Sequence, residues 1–126
     1  MATIELTAEN LDSSIENNDI LLNDFWAEWC GPCKMFGPIF EKASEQHPDI
    51  VFAKCNTEVQ QQVAGSFGIR SIPTLAVFRE KILVFMQPGS LPEPALAEII
   101  EKVEALDMDQ VRKDIAEQEK KNTTNA

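Results

Sequence analysis

Ile4 and Leu6 alternate with polar neighbours, which predicts a short opening strand. Ala8, Leu11 and Ile15 then follow helical spacing, with Thr7 placed to cap a helix reaching about residue 17. Asn17, Asn18 and Asp19 read as a turn. Residues 20–27 are almost continuously apolar, the pattern of a central strand covered on both faces, and only Asn23 and Asp24 interrupt it. Phe36, Phe40 and Ala43 fall on one stripe and predict a helix over 31–46, with a kink expected at Pro38, which removes a backbone donor. His47-Pro48-Asp49 ends it, residues 50–56 predict a second buried strand, and 59–66 a short helix.

After Ile72-Pro73-Thr74 come two further apolar runs, 75–78 and 82–86, separated by so short a gap that an antiparallel hairpin is favoured, although no Asn-Gly or Asp-Gly signal marks the turn. Pro92 opens a helix carrying Leu96, Ile99, Ile100 and Val103 to about residue 106. Asp107 can cap another helix, with Gln110 completing a capping box. Its apolar stripe is only Met108, Val111 and Ile115, which predicts docking against the domain or a second copy over residues 107 to about 118. Residues 118–126 are polar and are expected to fray. Strands alternating with helices and closing in a hairpin make a mixed-sheet α/β fold.

A length of 126 residues suits one domain able to bury its own core. The net charge of −10 argues against nucleic-acid binding, because no basic stripe is available to neutralise phosphates. The N-terminus shows no basic segment followed by a long apolar run, so neither a signal peptide nor a membrane span is expected, and a reducing, cytoplasmic home is. Three cysteines, two of them three positions apart, do not form the framework of a secreted disulfide scaffold.

Cys30 and Cys33 admit three readings: a reversible disulfide, half of a zinc site, or two thiols that happen to be near each other. Cys30 falls where a strand ends and a helix begins, so free N–H groups and the positive end of the helix dipole would stabilise its thiolate. It is the candidate nucleophile, and Cys33, one turn further in and less accessible, the candidate resolving thiol. Pro32 suits a helix's first turn and Gly31 permits close approach. For zinc, His47 and Cys55 could supply the missing ligands, but Cys55 lies inside a predicted strand and no second closely spaced pair exists. No metal is expected.

The run 24–34, Asp-Phe-Trp-Ala-Glu-Trp-Cys-Gly-Pro-Cys-Lys, together with Gly68-Ile69-Arg70-Ser71-Ile72-Pro73-Thr74, resembles the thioredoxin family over about residues 3–106. The resemblance implies a thioredoxin fold, with a mixed central sheet of about five strands flanked by helices. It divides the chain into a domain at 1–106 and a helical extension at 107–126 with a frayed end. It further implies a protein-disulfide reductase in which Cys30 attacks a substrate disulfide and Cys33 resolves the mixed disulfide, with no bound cofactor. Electrons would come from NADPH through thioredoxin reductase, and the partners would be that reductase and disulfide-containing proteins, for a monomer or at most a weakly associating dimer.

Asp24 matches the family's buried carboxylate. Desolvation in an apolar strand would raise its pKa and let it act as base for Cys33, while the plainer reading is an acid satisfied by hydrogen bonds at a strand end. Lys54 matches the lysine that tunes this carboxylate, its plainer reading being a side chain reaching out to solvent. Ile72-Pro73 matches the cis-proline loop facing the cysteines. Trp29, Gly31, Pro32, Ile72 and Gly89 would line the substrate surface, with Trp26 as packing. Asn23, the Glu80-Lys81 turn and Pro88 depart from the family pattern. Cys55 reads as a buried small hydrophobe and His47 as a surface residue. An oxidase or isomerase of the same fold, or a non-catalytic binding module, are the competing functions.

Overall fold

The computed structural model describes residues 2–124, and of the expected frayed end residues 125 and 126 lie outside that description. The elements run β1 (Thr3–Glu5), α1 (Leu11–Glu16), β2 (Ile20–Trp26), α2 (Gly31–Gln46), β3 (Val51–Asn56), α3 (Gln61–Ser66), β4 (Thr74–Arg79), β5 (Ile82–Pro88), α4 (Glu93–Glu104) and α5 (Met108–Thr124). One five-stranded sheet has the order β1-β3-β2-β4-β5; β1, β3 and β2 run parallel, while β4 and β5 join antiparallel.

β2 is central, and its unbroken apolar pattern follows from burial on both sides. Leu22 faces a layer with Phe36 and Phe40 of α2, Phe52 of β3 and Leu96 and Ile100 of α4. Leu21 and Phe25 face the other layer, with Leu6, Ala53, Val63, Ala76 and Phe78. Strand alternation therefore puts Asp24 on the α2/α4 side and Asn23 on the opposite side. Asn23 is fully buried, its amide finds no partner among the described residues, and its neighbours on both adjacent strands are the small Ala53 and Ala76.

Three local details sharpen the expected elements. α1 starts at Leu11, because Thr7 and Asn10 exchange hydrogen bonds in a turn ahead of it. α2 runs continuously from Gly31 to Gln46 through Pro38. The hairpin pairs Arg79 with Ile82, so Glu80 and Lys81 form the whole turn with φ of 50° and 72°. Two non-glycine residues in left-handed conformation are costly, and here the Glu80 N–H donates to the Asp19 carbonyl at 2.8 Å while its carboxylate receives Arg112 of α5.

α5 extends to Thr124, past the end expected near 118. Of its stripe, Met108 is buried, Val111 half-buried and Ile115 exposed, so among the described residues the stripe packs at the start of the helix. Gln110 N–H caps onto Asp107, but the Gln110 side chain turns to Asp114 rather than completing the box. Arg79 Nη1 donates to the carbonyls of Val103, Glu104 and Leu106 and fastens the α4/α5 junction to the sheet. Among the described residues no helix is long and apolar enough to cross a membrane.

Candidate active site

β2 ends at Trp26, and after Ala27, Glu28 and Trp29 the chain turns into α2 with Cys30 as its extended N-cap. Gly31 and Pro32 occupy the first two helical positions, where a missing N–H costs nothing. The Cys33 N–H reaches back to Cys30 Sγ at 3.2 Å, and the two cysteines are joined as a disulfide, Cα to Cα 5.2 Å apart. In the reduced state this amide and the helix's positive end would stabilise a thiolate on Cys30.

Exposure does not separate the two sulfurs as the sequence suggests: Cys30 is 3% exposed and Cys33 5%. Surroundings separate them. Cys30 Sγ lies 3.6 Å from the Ile72 carbonyl oxygen, whereas Cys33 lines the cavity that also holds Lys54.

Ile72-Pro73 is a cis peptide, and the Pro73 carbonyl accepts the Gly89 N–H at 2.7 Å. Gly89 has φ +102°, a left-handed conformation that glycine adopts without penalty. Trp29 is 69% exposed beside Cys30, and its indole N–H donates to the Glu58 carboxylate at 2.8 Å. Gly31 and Pro32 are exposed as well. Trp29 and Ile72 line one shallow groove with Thr57, Ala64 and Arg70.

Asp24 lies beneath, fully buried and directly opposite Lys54 on β3. Neither of its carboxylate oxygens has a hydrogen-bond partner among the described residues. Burial pushes its pKa up to about 7, against a lowering attraction from Lys54. The Lys54 ammonium stands 4.9 Å above the Trp26 ring, so Trp26 does more than pack. A cavity of about 740 Å³ opens here, bounded by Cys33, Lys54, Trp26, Gly37 and Glu41 among others.

Two residues at the site escape the sequence reading. Glu58, which anchors Trp29, carries no local signal. Glu41 does carry one: it lies eight positions after Cys33, two rows of four along one helix face. Cys55 is buried on the opposite side of the sheet, where burial and the nearby Glu5 raise its thiol to about 11. His47 is half-buried, its ring stacked on Phe52 at 6.3 Å, rather than a free surface residue. Among the described residues no group of three His, Cys, Asp or Glu side chains stands where a metal ion would be held.

The thioredoxin family model matches residues 2–102. "Putative thioredoxin 2" of Streptomyces coelicolor is 57% identical over 118 residues, 94% of this chain and 88% of that relative. The thioredoxin of Plasmodium falciparum superposes with a TM-score of 0.74 at 34% identity, covering 79% of this chain and 98% of that one. The oxidised form of mitochondrial thioredoxin 3 of Saccharomyces cerevisiae also superposes at 0.74, with 31% identity, covering 79% and 94%. A cysteine pair already joined at the mouth of α2, in a chain with this kinship over most of its length, is that of a thiol-disulfide oxidoreductase with protein-disulfide reductase activity, and the chain belongs to the thioredoxin family.

Proposed function

We propose that Cys30 is the attacking thiolate and Cys33 the resolving thiol. Cys30 Sγ forms a bond to one sulfur of a substrate disulfide, breaking it and releasing the first substrate thiolate. Asp24 then takes the Cys33 proton, Cys33 attacks Cys30 Sγ, and the second substrate thiolate leaves as the Cys30–Cys33 bond forms. Two electrons pass from the dithiol to the substrate. The observation that carries this order is the asymmetry of the two sulfurs: Cys30 caps α2 and meets Ile72, while Cys33 shares its cavity with Lys54 above the buried Asp24.

Ile72 and Pro73, with Trp29, Gly31, Pro32 and Gly89, form the substrate surface, offering backbone groups to an extended segment. Lys54 tunes Asp24. The oxidised pair is returned to dithiol by a thioredoxin reductase drawing on NADPH, so the chain itself holds no cofactor. The cytoplasm fits this electron supply and the unpaired Cys55, and the chain works as a monomer on disulfide-containing proteins. The reductase unit spans 1–106 and residues 107–126 form an appended helix, in keeping with a family match ending at 102.

Reduction of insulin disulfides, followed as NADPH oxidation with a thioredoxin reductase present, tests the reading. Wild type turns over and folded Cys30→Ser does not; a folded but inactive wild type overturns it.

A further inference from the structure

Glu41 has no part in the chemistry above, yet its placement is specific. Cys33, Gly37 and Glu41 form one row along α2, and all three line the cavity with Lys54. Helical side chains lean toward the N-terminus, which places Glu41 to reach back along α2 toward Gly37. The Lys54 ammonium rests beside Gly37, where a Cβ would stand 3.7 Å from Nζ. One Glu41 oxygen accepts the Thr3 hydroxyl of the edge strand, and the other is buried without a partner among the described residues. Lys54 takes part in none of the ion pairs found among the described residues. A single ammonium thus shares one region with two carboxylates, Asp24 below on β2 and Glu41 above on α2. The other charged groups around Lys54 are exposed, Glu28 and Lys34 at the cavity and Glu5 opposite it in the register of β1, and β4 sets only Leu75 against Asp24.

We propose that Glu41 is a positioning residue of the disulfide exchange: anchored by Thr3, its carboxylate draws the Lys54 ammonium toward α2 and away from Asp24, leaving Asp24 able to take the Cys33 proton. An ammonium close against Asp24 would hold the carboxylate ionised and weaken it as a base. The inference rests on the reading of Asp24 as that base.

Carbon-13 NMR titration of the Asp24 carboxyl in the oxidised protein tests it without turnover. Glu41→Gln lowers the Asp24 midpoint by at least about half a pH unit, because the released ammonium turns to Asp24. Thr3→Val, which keeps the Glu41 charge but loosens its anchor, shifts it the same way by less. In a Lys54→Met background Glu41→Gln has no effect. An unmoved midpoint in folded Glu41→Gln overturns the proposal. So does a shift that persists without Lys54, since Glu41 would then act by direct repulsion. A wild-type Asp24 that titrates in the ordinary carboxylate range instead overturns the buried-base reading beneath it.

Discussion

Asp24 and Lys54 stand directly opposite each other on the parallel strands β2 and β3, and no ion pair joins them. The lysine turns to the Trp26 ring and to α2, and the carboxylate is left buried with neither oxygen hydrogen-bonded among the described residues. A charge held this way costs stability, and proteins retain such groups where chemistry uses them.

That cost is measurable. Asp24 titrates at about 7 when folded against an ordinary 3.8, so the folded state binds more protons between those values. Stability therefore falls as pH rises from about 4 to about 7, and the penalty is complete above it, amounting to about 4 kcal/mol. Asp24→Asn carries no such penalty. Urea unfolding at pH 5 and pH 8 should show the variant gaining on wild type at the higher pH, while its disulfide exchange slows; a stability difference independent of pH contradicts the assignment.

The helix α5 predicts a sharp contrast along its own stripe. Met108 is 5% exposed and Ile115 37%. Met108→Ala should cost about 2–4 kcal/mol and Ile115→Ala less than about 1 kcal/mol, read from urea midpoints. Equal losses would place Ile115 in a contact the structure does not show.

Much of this was legible from side-chain pattern. The unbroken apolar run of β2 follows from burial on both faces, and the Cys30 to Cys33 spacing from a helix's first turn. The reach of α5 was not, because it is a polar helix whose only deep anchor among the described residues is Met108, reinforced by Arg79 and Arg112 from residues far apart in the chain. The two-residue turn at Glu80 and Lys81 was hidden for a similar reason: its left-handed backbone is supported by Asp19 and Arg112, not by turn chemistry of its own. At the site, Cys30, Cys33 and Ile72 announced themselves as motifs. Glu58 and Thr3 act only through distant partners and leave no local trace.

Cys55 is expected to stay silent in redox chemistry. Its thiol is buried and raised to about 11, so almost none of it is thiolate near neutrality. Iodoacetamide at pH 8 on the reduced native protein should label Cys30 and leave Cys55 unmodified until urea is added, as peptide mass spectrometry will show. Rapid native labelling of Cys55 contradicts its burial.

The order of attack is tested most directly by trapping. Mixed with a disulfide-bonded protein substrate, reduced Cys33→Ser should accumulate a stable mixed disulfide through Cys30, because the thiol that would resolve it is gone. Reduced Cys30→Ser should accumulate none. An adduct forming on Cys33 in Cys30→Ser as readily as on Cys30 in Cys33→Ser would contradict the assignment of Cys30 as nucleophile and Cys33 as resolving thiol.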